Sequence, residues 1–419
     1  MYEQYKLKNQ LKVLLVPQRD TQSTTFFVMY PVGSRYETER LRGASHYIEH
    51  LMFKGTEKRK NTLILTREID RLGAEYNAFT GKEYTGYYIK VDSQYSKIAI
   101  DILDDMLHHS KFDPKEMERE KTVIVEELNM YKDNPVMSID NIFEELLFAG
   151  SPLGVDIGGT PKHVLSYKRD EVLSYKKKYY QPKNATLVIA GKIDEKTKMW
   201  IEEFFGTAKN AQPISNKFLP AKFGSTEKSK RIVVQEKVTD QAQFMMGFPS
   251  FAREDKRNYA VAVMNTILGG SMSSRLFIQV RERMGLAYTV RSGDEYYRDA
   301  GYNFIRAGLD AKNINKAIVV IKKEIEKLVK KGVTTRELKD AKTHIRGSLT
   351  LSMEDSSSQA NWYARTAVLF SKIETPEDVL KKFDAVTQDE IKKVAAQIFD
   401  WDKVRIAIIG NIKKENVIF

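Results

Sequence analysis

The chain has 419 residues, with 68 Lys and Arg against 56 Asp and Glu for a formal net charge of +12, 42% apolar residues and no cysteine. The length exceeds one ordinary core and predicts two or three domains, and the composition excludes a disordered or fibrous chain. Without cysteine there are no disulfides and no thiolate metal sites, so a tight transition-metal site has to be built from His, Asp or Glu.

In chain order, residues 1–18 pass directly into a strand pattern at 11–16, with neither a signal peptide nor a transit segment, and no apolar run approaches the roughly 18 residues of a membrane span. The expectation is a cytoplasmic protein with no membrane anchor. A second strand is predicted at 25–30, then a helical segment over 45–54. Helices follow at 62–72, 95–108 and 114–130, with a strand at 84–91 between them. NATLVIAGKID at 184–194 reads as a buried strand followed by a glycine turn. Residues 209–229, with Pro213, Pro220, Gly224 and several Ser and Lys, read as a linker. Beyond it the order starts again, with strands at 231–235 and 241–247 and a helix from about 256. Helices at 314–331 and 335–352 follow, and KVRIAIIGNIK at 403–413 echoes the end of the first half. Two copies of one α+β unit, 1–208 and 230–419, account for this, each a sheet with helices packed on it. Basic residues stand among acidic ones along the chain, as in 116–121 and 322–331. They read as solvated helix faces and give no ground for a nucleic-acid partner.

The chemistry is concentrated in His46-Tyr47-Ile48-Glu49-His50. At about 100° per residue, His46 and His50 lie about 40° apart on one helix face with Glu49 beside them. Two imidazoles there can grip one Zn²⁺, which needs a third protein ligand and leaves a position for water, and Glu49 is placed to act as general base. Helix 114–130 offers Glu116, Glu118, Glu120, Glu126 and Glu127 for that third ligand. Glu120, Ile124 and Glu127 share a face at i, i+4 and i+7, and burying that stripe brings two carboxylates inward together. His108, His109, His163 and His344 form no comparable set and read as structural or solvent-facing.

H-x-x-E-H is the inverzincin motif. Its surroundings, GASHYIEHLMFKGT at 43–56 and EREKTVIVEEL at 118–128, resemble the pitrilysin, insulinase and mitochondrial-processing-peptidase family of zinc peptidases, above all its half-length members. The likeness extends through GSRYE at 33–37, NAFTGKEYT at 77–85, SPLGVDIGGT at 151–160 and GGSMSSRLFIQVRERMGLAY at 269–288. Ser151 stands where many relatives have His, and Tyr47-Ile48 where they have Phe-Leu. The resemblance implies Glu127 as third ligand and Glu120 as its supporting carboxylate, the pair that helical phase also singles out. It further implies that Asn77 and Ala78 lead to a sheet edge where substrate is held as an added strand, and that Arg281 and Tyr288 contact substrate near the scissile carbonyl.

The expected function is a zinc endopeptidase acting on short or unfolded polypeptides, against the alternative of a non-catalytic scaffold or assembly subunit of the same fold. Full-length members of the family carry four such units closed around the substrate. A two-unit chain is therefore expected to form a homodimer, with the Arg281 and Tyr288 that serve a given zinc coming from the opposite chain.

Overall fold

In the computed structural model, residues 2–211, 214 and 217–419 are described; Pro213 of the expected linker lies outside them. The chain forms two compact units. Unit one comprises Met1–Asn129, Asp156–Leu219 and Thr350–Thr375, and unit two comprises Met130–Val155, Pro220–Leu349 and Pro376–Phe419. A division into two consecutive segments at 208 and 230 therefore misses an exchange, because each unit takes in a piece of chain from the other half of the sequence.

Unit one is built on a six-stranded sheet of β1 (Glu3–Lys6), β2 (Lys12–Pro17), β3 (Ser23–Tyr30), β4 (Glu75–Thr80), β5 (Thr85–Asp92) and β6 (Thr186–Gly191), in the order β1-β2-β6-β3-β5-β4. Unit two repeats the plan with β7 (Ile232–Glu236), β8 (Ala242–Ser250), β9 (Ala287–Tyr296), β10 (Gly301–Leu309) and β11 (Arg405–Gly410), ordered β7-β11-β8-β10-β9. In unit one the second strand, β2, pairs in parallel with the closing β6, Lys12 opposite Thr186, and in unit two the opening β7 pairs in parallel with the closing β11, Ile232 opposite Ile406; every other pairing of these strands is antiparallel. The repeat seen at 184–194 and 403–413 is this shared central strand.

β6 and β11 are buried at every position, which requires cover on both faces of the sheet. On one face of unit one, Val13, Leu15, Phe26, Val28, Leu187 and Ile189 pack with residues of helices Ser96–His108 and Arg169–Tyr179. The alternate residues Leu14, Val16, Phe27, Met29, Val188 and Ala190 pack against Ala360, Tyr363 and Ala364 of helix Ser356–Leu369. Unit two mirrors this, with Met245, Tyr302, Ala407 and Ile409 covered by Ile139, Phe143 and Leu147 of helix Pro135–Leu147. Each such fully buried large apolar side chain contributes about 1.5–3 kcal/mol, so the exchanged helices complete the two cores. No helix among the described residues is long and apolar enough to cross a membrane.

The stretch after helix Ala44–Leu51 is anchored by a buried ionic cluster. Arg59 donates to Asp105 at 2.9 Å, Asp101 at 2.8 Å and Glu68 at 2.8 Å, while the Thr56 hydroxyl donates to Asp105 at 2.5 Å. The Asp105 side chain is 0% exposed. Arg59→Met removes its cation and leaves a buried carboxylate uncompensated, so a loss of about 3–5 kcal/mol is expected in denaturant unfolding. A change under 1 kcal/mol would show that the cluster contributes little.

Candidate metal centre

Helix Ala44–Leu51 turns Tyr47, Ile48 and Leu51 into the core and leaves His46, Glu49 and His50 half-buried on the opposite side. Its start is fixed by contacts that sequence reading did not single out. Gly43 sits at φ +92°, and a Cβ there would meet the Gly158 carbonyl oxygen at 2.4 Å, so only glycine fits the close approach of the two backbones. The Glu37 carboxylate accepts from the Gly43 amide at 2.6 Å and the Ser45 amide at 2.7 Å, satisfying backbone donors at a helix N-terminus. Burial nevertheless pushes the Glu37 carboxyl up to about 7 against those two bonds.

Helix Pro114–Asp133 meets this face with the stripe that phase selected. Glu120 and Ile124 are buried and Glu127 is half-buried, while Glu118 and Glu126 are exposed and Glu116 pairs with Arg119. His46 Nε2 and His50 Nε2 are 3.2 Å apart, and Glu127 Oε2 lies 3.4 Å from the second and 3.7 Å from the first. Donors about 2.0–2.1 Å from a tetrahedral zinc ion stand about 3.3 Å from one another, so the three side chains fit such an ion as they stand. The identity of the donors fits as well, because His50 presents its other ring nitrogen, Nδ1, to Glu120 Oε1 at 2.8 Å. That is the carboxylate support that orients a metal-binding imidazole. Lys54, three residues past the end of helix Ala44–Leu51, holds the other Glu120 oxygen at 2.6 Å. Among the described residues, His46, His50 and Glu127 are the one group of His, Asp and Glu side chains gathered closely enough to hold a metal ion.

The electrostatics of these side chains match this grouping. Burial, reinforced by the adjacent His50, pulls the His46 imidazole down to about 4. Burial opposes a charge on His50 too, but the hydrogen bonds to Glu120 and Glu127 outweigh it and hold that imidazole up to about 9. The hydrogen bond with His50 keeps the Glu127 carboxyl below its usual range. One proton on His50 thus balances the carboxylates, and a divalent ion would displace it, since metal ligands bind deprotonated.

Glu49 supplies no ligand atom to this group. Its Oε2 accepts a hydrogen bond from the Thr80 hydroxyl, and burial is the main influence raising its carboxyl above the ordinary range. Thr80 closes strand β4, which also holds Asn77 and Ala78 and, among the described residues, pairs only with β5, leaving its outer side as a sheet edge. Asn77 and Ala78 lie within the strand itself, and Asn77 Oδ1 accepts from the Ala78 amide at 2.8 Å.

In unit two, Arg281 and Tyr288 come together. The Arg281 guanidinium stands 5.3 Å from the centre of the Tyr288 ring and 4.7 Å from that of Phe277, and Tyr288 is 67% exposed on β9, the edge strand of its sheet. Lys54 could have been found from its place at i+8 from His46, and Thr80 from its place in NAFTGKEYT. Glu37 gave no helical signal at all.

Two histidines and a glutamate are thus gathered closely enough to hold a metal ion, with a separate carboxylate beside them. A family model described as Insulinase (Peptidase family M16) matches residues 12–160, and one described as Peptidase M16 inactive domain matches residues 166–345. The chain belongs to peptidase family M16. The uncharacterized zinc protease YmxG of Bacillus subtilis is 34% identical over 414 residues, covering 98% of this chain and 100% of that protein. An uncharacterized zinc protease of Streptomyces coelicolor is 32% identical over 409 residues, covering 96% and 88%. Among solved structures, a protease from Helicobacter pylori has a TM-score of 0.91 at 22% identity, covering 98% of this chain and 99% of that one. A peptidase M16 inactive domain from Pseudomonas fluorescens has a TM-score of 0.89 at 20% identity, covering 98% of each chain. The α+β expectation and the family resemblance both hold. His46, Glu49, His50, Glu120 and Glu127 all fall within the first matched segment, and Arg281 and Tyr288 within the second.

Proposed function

We propose that the chain is an active zinc endopeptidase that hydrolyses extended or unfolded polypeptides. The spacing of His46 Nε2, His50 Nε2 and Glu127 Oε2, at 3.2, 3.4 and 3.7 Å, carries this reading. Zinc held by these atoms supplies a Lewis acid that brings the acidity of water close to neutral pH. Glu120 keeps the His50 ring in the orientation that turns Nε2 toward the ligand group. A Glu49 carboxylate oxygen takes a proton from the water that adds to the peptide carbonyl carbon, then delivers it to the amine nitrogen as the C–N bond breaks. The edge of β4 offers backbone N–H and C=O groups to an extended substrate, an affinity largely independent of side-chain sequence.

Arg281 and Tyr288 are assigned to the substrate as well, the guanidinium fixing the chain and the phenol donating to the oxygen of the carbonyl under attack. We place them in trans, within a homodimer that makes two equivalent sites. An internally quenched unstructured peptide is the test. Cleavage is expected from the zinc-loaded chain and loss of cleavage on chelation, whereas no cleavage by protein carrying stoichiometric zinc would favour a scaffold role. In the same assay, a mixture of Glu49→Gln protein with Arg281→Ala/Tyr288→Phe protein should regain one working site per mixed dimer. Demonstrated subunit exchange without recovery would rule out the trans arrangement.

A further inference from the structure

The Arg281 guanidinium is held differently from other arginines of unit two. Arg257, Arg275 and Arg306 each grip a carboxylate, Asp255 at 2.6 Å, Glu337 at 2.7 Å and Asp140 at 2.6 Å. The ion pair that Arg281 makes among the described residues is a loose one, 3.8 Å to its sequence neighbour Glu282, whose side chain is 58% exposed, and the Arg281 side chain donates no hydrogen bond to a described residue. What stands beside it instead are two aromatic rings. Phe277 precedes it by about one turn on the π-helical segment Phe277–Arg283 and is buried in the core of the unit, and Tyr288 follows on β9. The guanidinium carbon lies 4.7 Å from the centre of the first ring and 5.3 Å from that of the second. A ring face attracts a cation through its π electrons and uses none of its N–H groups, whereas a carboxylate takes up the fork of donors that would otherwise meet a peptide. An arginine with no support would carry its full rotamer freedom into each binding event and lose it there. The two rings restrain Arg281 and leave its donors open.

We propose that Phe277 and the ring of Tyr288 are positioning groups that hold the Arg281 guanidinium in place for the substrate. Tyr288 then has two separable tasks, its ring steadying the guanidinium and its phenol donating to the oxygen of the carbonyl under attack. This inference rests on the substrate role assigned to Arg281 above.

Steady-state kinetics of the zinc-loaded chain on the quenched peptide test this. Phe277→Leu keeps an apolar side chain in the core but has no ring face, and should raise KM by about threefold to tenfold, the effect of losing a cation–π contact, with kcat unchanged. Phe277→Tyr keeps the ring and should hold KM near the wild-type value. Tyr288 is exposed, so its variants probe the same contact without touching the core. Tyr288→Phe should lower kcat and leave KM near wild type, whereas Tyr288→Leu should lower kcat as much and raise KM too. In the Arg281→Ala background, Phe277→Leu should change KM by less than about twofold, because the ring acts through the guanidinium; a purely structural loss would persist there. If Arg281→Ala raises KM but Phe277→Leu does not, or if Tyr288→Leu and Tyr288→Phe share one KM, the rings do not position Arg281 and the proposal is overturned. An unchanged KM in Arg281→Ala would remove Arg281 from the substrate and overturn that assignment together with this one.

Discussion

Glu49→Gln is expected to lower kcat on a quenched peptide by about 10²–10⁴-fold, the usual contribution of a positioned general base, while bound zinc stays stoichiometric. The two halves of that result rest on different observations. Glu49 offers no atom to the group formed by His46, His50 and Glu127, so replacing it removes no ligand. An amide is close in shape to the carboxylate and its oxygen can still accept from the Thr80 hydroxyl, but it cannot take a proton from water. A smaller effect should follow from loosening the carboxylate rather than neutralising it. Thr80→Val should reduce kcat with little change in KM, and Thr80→Ser should restore it. Full activity in Glu49→Gln would remove Glu49 from the mechanism, and loss of zinc together with activity would make it a ligand instead.

The second large effect separates two carboxylates on one helix. Glu127→Gln takes away one of three ligand atoms, whereas Glu120→Gln takes away the support on His50 Nδ1 and leaves all three in place. Loss of an outer support of this kind typically costs about 10–100-fold in metal affinity. Competition against a chromophoric chelator should therefore show Glu120→Gln weakened within that range and Glu127→Gln weakened well beyond it. The opposite ranking would exchange the two roles.

The parts of this centre that could be read from the sequence are those that follow from one helix at a time. His46, Glu49 and His50 lie within a single turn, and Glu120 and Glu127 share a face by phase alone, so local geometry singles them out before any packing is known. Thr80 and Glu37 act across distances of 31 and 8 or fewer residues through contacts that only the folded sheet and loop create. The same limit explains the unit boundaries. Helices Pro135–Leu147 and Ser356–Leu369 are ordinary as local sequence, and nothing within them states which sheet they cover. That is decided by the unfilled face of a central strand more than a hundred residues away, as with Val188 and Ala190 beneath Ala360 and Ala364.

The exchange of helices also sets an order of events on the ribosome. Domains generally fold as they emerge, first half first. Here the sheet that supports the metal centre has one face bare until helix Ser356–Leu369 has been synthesised, at residue 369 of 419. By then strands β7 to β10 of unit two have already left the tunnel. The core beneath the histidines at 46 and 50, which takes in Tyr47, Ile48 and Leu51, is complete in sequence by residue 205, but the opposite face of the same sheet closes almost last, so the nascent chain carries one uncovered apolar face long after the first is filled.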